Sequence, residues 1–62
     1  MTSQTENTLL RILLVDDDVD FATSMSGILN LEGYQVEVAY SVPEAISKVE
    51  SFVPEVALVD IH

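Results

Sequence analysis

Asp16, Asp17 and Asp18 follow directly on the apolar run Ile12-Leu13-Leu14-Val15, and a second apolar run, Val56-Ala57-Leu58-Val59, also ends on a carboxylate, Asp60. Acidic side chains crowded at a strand end are costly: at about 4 Å, like charges repel by roughly 4 kcal/mol per pair at an effective dielectric near 20. A cation relieves that cost, so the grouping points to a metal pocket. With few protein ligands and room for water, Mg2+ suits it better than Ca2+, which takes more oxygen donors. An Asp16-x-Asp18-x-Asp20 calcium loop is the competing pattern. It fails because Phe21 stands where that loop needs glycine and Gly27 where it needs a glutamate.

Elements that deliver these groups can be read along the chain. Arg11 to Val15 has no alternating polar residue, the pattern of a strand buried on both faces, with Asp16 and Asp17 in the turn after it. Asp18 is placed to cap a helix, since a carboxylate there accepts from free first-turn amides and suits the positive end of the helix dipole. Asp20 adds to that effect. Phe21, Ala22, Met25, Ile28 and Leu29 recur at three- and four-residue spacing and predict an amphipathic helix with Phe21 and Met25 in the core. Gly27 weakens it by about 1 kcal/mol relative to alanine, and Gly33 ends it.

Tyr34, Val36, Val38 and Tyr40 alternate with Gln35, Glu37 and Ala39, which predicts an edge strand. Ser41-Val42-Pro43-Glu44 matches a capping box, and Ala45, Ile46, Val49 and Phe52 or Val53 supply the buried stripe of a second helix that stops at Pro54. A third strand, Val56 to Val59, follows. The order is β-α-β-α-β, an α/β unit with a parallel sheet. The strand with a polar face belongs at the margin, so the strand order is 2-1-3, and right-handed crossovers put one helix on each face. Strands 1 and 3 are then neighbours about 4.8 Å apart. Their carboxyl ends bring Asp16, Asp17 and Asp60 into the crevice where winding reverses, which is where open α/β sheets bind ligands.

Composition narrows the function classes. Eleven acidic residues against Arg11 and Lys48 give a formal charge of -9 over 62 residues. That argues against direct contact with nucleic acid or an anionic membrane by these residues. There is no cysteine for disulfides or thiolate zinc sites. No apolar stretch nears the roughly 20 residues that span a bilayer, and residues 1–9 read as a disordered leader rather than a signal peptide, so a cytoplasmic location is expected. So short a chain buries only about 60% of its unfolded surface and has marginal stability.

Leu13-Leu14-Val15-Asp16-Asp17, the Gly33-Tyr34 helix exit and Pro54-Glu55-Val56-Ala57-Leu58-Val59-Asp60, at this spacing, resemble the receiver domain of bacterial two-component response regulators. The match runs from about Arg11 to His62. The resemblance implies a flavodoxin-like receiver fold, represented by its first half over residues 10–62. It further implies that Asp60 accepts a phosphoryl group from a histidine kinase or phosphotransfer protein. Asp16, Asp17, Asp60 and the backbone carbonyl of His62 would hold Mg2+. Receivers normally continue into two more strands and three more helices that carry a phosphate-binding Ser or Thr and a Lys. Lys48, on the second helix and away from the crevice, does not replace that Lys. A receiver stopping after its acceptor is expected to be impaired in phosphorylation and readout, and to pair through the exposed edge of its third strand in a homo-oligomer.

Two other readings compete. An aspartate-nucleophile phosphatase of the haloacid dehalogenase type has an apolar strand before Asp-x-Asp, which makes Asp16 the attacking group, although Asp20 stands where Thr or Val is usual. A non-catalytic, self-associating interaction module is the other. The receiver reading makes the chain a phosphoacceptor rather than an enzyme. His62, the single histidine, has an assigned role only through its carbonyl, and Tyr34 and Tyr40 read as edge-strand packing.

Overall fold

The computed structural model describes residues 10–61. The expected leader over residues 1–9 and the His62 carbonyl lie outside the described residues. Five elements alternate: β1 (Arg11–Asp16), α1 (Val19–Leu31), β2 (Gln35–Ala39), α2 (Val42–Phe52) and β3 (Val56–Asp60). The strands form one parallel sheet in the order β2-β1-β3, as the hydrophobic patterns require. Both helices pack on β1 and β2, and neither touches the other, so the sheet lies between them.

The unbroken apolar run of β1 has its physical reason in this placement. Ile12, Leu13, Leu14, Val15 and Asp16 are all buried, because both faces and both edges of the strand are covered. Leu13, Val15 and Ala39 form the core beneath α2, with Ala45 packed against them. Side chains alternate along a strand, so Ile12, Leu14 and Asp16 belong to the face that α1 covers. Ala22 is the buried residue of α1. Its small side chain lets the helix axis come close to the sheet.

Helix ends follow the expected chemistry with one shift. Asp18 caps α1 through a bond from the Phe21 amide, and Gly33, at φ 104, lets the chain leave that helix. Ser41 accepts from the Glu44 amide, but Glu44 returns its bond to the amide of Tyr40 rather than to that of Ser41. The box is therefore displaced by one residue on its return side. α2 ends on Val53, a β-branched residue in the left-handed region at φ 52. Arg11 holds this corner, donating from Nε to the Val53 carbonyl, while its backbone N–H bonds the Glu55 carboxylate.

Three packing expectations need correction. Phe21 is 46% exposed rather than core, because α1 turns Ala22 to the sheet and the neighbouring residue lies about 100° round the axis. Met25 and Phe52 are only half-buried. In α2 the stripe is also shallower than expected, with Ile46, Val49 and Val53 exposed. β3, whose sequence predicts burial on both faces, is exposed along its whole length. Neither helix reaches it, and among the described residues no strand lies on its outer side. Asp16 completes β1 instead of starting the turn, which moves it from the loop into the sheet.

Candidate functional site

The carboxyl edge of the sheet carries the acidic groups, and the strand register decides which of them meet. β1 and β3 pair from Ile12 with Val56 through to Asp16 with Asp60. The two aspartates are therefore direct neighbours on adjacent strands, at the last paired position of each. Their environments differ. Asp16 is 1% exposed, while Asp60 lies at the exposed end of β3.

Within Asp16 the two oxygens are used differently. Oδ1 accepts from the backbone N–H of Asp18 at 2.9 Å, and Oδ2 is buried without a hydrogen-bond partner among the described residues. An unpartnered buried polar atom is costly, and a charged one more so. A cation bound at that oxygen would relieve the cost. The side-chain donors are carboxylate oxygens, the chemistry of a hard cation such as Mg2+. On donor type and on the orphan oxygen, the residues fit that ion.

Asp17 and Asp18 are exposed and occupy the turn between β1 and α1. Asp18 spends one carboxylate oxygen on the Phe21 amide, consistent with capping rather than ligation. Among the described residues, no three His, Cys, Asp or Glu side chains are gathered closely enough to hold a metal ion. The structure thus brings Asp16 and Asp60 together by register and does not draw Asp17 into a three-carboxylate cluster with them. The expected ligand at His62 lies outside the described residues.

One contributor was missed by sequence reasoning: the backbone of Asp18, which fixes the orientation of Asp16. The Asp-x-Asp spacing at 16 and 18 was the available signal, since an aspartate often accepts from the amide two residues on. Lys48, on α2, is engaged on β2 and on its own helix: its ammonium donates to the Val38 carbonyl at 2.7 Å and pairs with Glu37 and Glu44, so it closes α2 onto β2.

Comparison with known proteins identifies the family of the chain. The family model described as the response regulator receiver domain matches residues 12–62. The transcriptional regulatory protein TrcR of Mycobacterium tuberculosis is 40% identical over 52 residues, covering 84% of this chain and 20% of that protein. The acid tolerance regulatory proteins ActR of Sinorhizobium medicae and Rhizobium meliloti are each 36% identical over 51 residues, covering 82% of this chain and 26% of theirs. The chain thus spans between a fifth and about a quarter of the length of these curated relatives. No solved structure matches it significantly.

Proposed function

The chain belongs to the response regulator receiver domain family, and on that premise we propose that Asp60 is the phosphoacceptor of a two-component signalling system. The observation that carries the reading is the register of Asp60 with Asp16, whose buried Oδ2 has no hydrogen-bond partner among the described residues. The phosphoryl donor in this proposal is a phosphohistidine on a histidine kinase or phosphotransfer protein. An Asp60 carboxylate oxygen forms the new P–O bond as the P–N bond breaks, and the departing imidazole nitrogen keeps the electron pair and takes up a proton.

Each residue has a distinct part in this transfer. Asp60 is exposed at the strand end, where a partner's side chain can reach it, and β3 holds its carboxylate beside the pocket. Asp16, immobilised through Oδ1, offers Oδ2 toward a cation, with Asp17, Asp60 and the His62 carbonyl as the other proposed Mg2+ ligands. When bound, Mg2+ offsets charge on the phosphoryl oxygens and aligns them for in-line displacement. The product adds negative charge to an already acidic edge, and the rearrangement this forces is the output signal.

The same reading treats the module as a stoichiometric acceptor, not an enzyme, with a cytoplasmic address and no direct nucleic-acid contact. No helix among the described residues is long and apolar enough to cross a membrane. Self-association of the 62-residue chain through β3 accompanies the proposal, supported by the exposed Val56, Leu58 and Val59 on that strand. The phosphatase reading requires Asp16 to attack, and its burial weighs against this.

Incubation with acetyl phosphate and Mg2+, followed by peptide mapping in a mass spectrometer, tests the assignment. A phosphoryl group on Asp60 that disappears in Asp60→Asn is the expected result. Modification of Asp16, or of any other aspartate in place of Asp60, overturns it.

A further inference from the structure

We propose that Asp18 is a positioning residue for the acidic pocket, acting through its backbone on Asp16 and through its side chain on α1. The inference rests on the cation-pocket reading of Asp16 and adds the device that aims it. Asp18 is tied at three points. Its N–H donates to Asp16 Oδ1 at 2.9 Å, its carbonyl accepts from the Ala22 amide at 3.0 Å, and its Oδ1 accepts from the Phe21 amide at 3.1 Å.

These contacts form a chain from core to pocket. Ala22 is fully buried and sets the height of α1 over the sheet. The first turn of that helix fixes Asp18 in an extended conformation, φ -89 and ψ 103, with its amide turned to Asp16. With Oδ1 so engaged, Oδ2 is the oxygen left for a cation. What position 18 must supply is therefore a capping acceptor, not a negative charge. Serine supplies one; alanine and glycine do not, although glycine keeps the cap conformation at little cost.

Mg2+ affinity measured by titration calorimetry on the full chain, with circular dichroism to monitor folding, separates the possibilities. Asp18→Ala and Asp18→Ser remove the same charge, so their difference isolates positioning. We expect Asp18→Ala to weaken Mg2+ binding about 10-fold, the usual scale for losing a group that orients a metal ligand, and Asp18→Ser to stay close to wild type. If Asp18→Ala does not fold, Asp18→Gly takes its place against Asp18→Ser. Equal affinity in the folded serine variant and its alanine or glycine counterpart overturns the inference. Equal Mg2+ response in wild type and Asp16→Asn is a different failure, because it removes the pocket itself.

Discussion

Replacement of Asp16 by asparagine should stabilise the protein in the absence of divalent cations. Asp16 is 1% exposed and its Oδ2 has no hydrogen-bond partner among the described residues, so the folded state carries an incompletely compensated buried charge. Leaving a buried polar atom unsatisfied costs about 1–3 kcal/mol, and more when it is ionised. Asp60, its register neighbour, adds repulsion. At about 5 Å and an effective dielectric near 20 this is ~3 kcal/mol, but Asp60 is exposed, and solvent screening reduces it to under about 1 kcal/mol. Asparagine keeps an oxygen to accept from the Asp18 amide and removes the charge. Its Nδ2 takes the unpartnered place of Oδ2, so only the penalty of the charge is recovered, about 1 kcal/mol, which raises the midpoint of a domain this small by roughly 4–8 °C.

Thermal and urea unfolding in EDTA, followed by circular dichroism, measure the effect. Asp16→Ala serves as the control: it also removes the charge but strips the Asp18 amide of its acceptor, so it is expected about 1–3 kcal/mol below the asparagine variant. Saturating Mg2+ should then narrow or reverse the order of wild type and asparagine variant. A ligand confined to the folded pocket adds about 2.7 kcal/mol at 100 times its dissociation constant, and the variant lacks the carboxylate to collect that gain. An asparagine variant no more stable than wild type in EDTA refutes the reasoning, because the buried carboxylate is then already compensated.

Three other substitutions test separate parts of the structure. Val53→Gly relieves a β-branched residue at φ 52, a region costing about 1–2 kcal/mol for residues with a Cβ; since Val53 is 58% exposed, a net gain of roughly 0.5–1 kcal/mol is expected in urea melts after the flexibility of glycine is counted. Gly27→Ala should add about 1 kcal/mol, because a Cβ there meets nothing within 4 Å and helix propensity alone decides the sign; a loss shows contact with something beyond the described residues. Val59→Lys puts a charge on a strand residue that is 65% exposed and should shift the 62-residue chain toward monomer in sedimentation, whereas an unchanged oligomeric state places any self-contact elsewhere.

The order of elements and the topology were legible along the chain because each rests on local pattern. The continuous apolar run before Asp16 marks an interior strand, the alternation from Gln35 to Ala39 marks a margin, and the handedness of crossovers does the rest. Caps at Asp18 and Ser41 were legible for the same reason, since a capping side chain acts within three residues of itself. The expected neighbourhood of Asp16 and Asp60 followed from strand order alone.

Burial and orientation were not legible, because they depend on what lies across space. Similarly continuous apolar runs gave a covered β1 and an exposed β3, and the difference is that both helices stand over β1 and β2. A helical stripe shows which residues can face the sheet but not how far a helix reaches across it, which is why Ala22 is buried and Phe21 is not. Likewise, three consecutive aspartates look equivalent in the chain. Only folding takes Asp16 into the sheet, leaves Asp17 in the turn and gives Asp18 to the helix, since one backbone hydrogen bond and one cap divide chemically identical side chains among three environments.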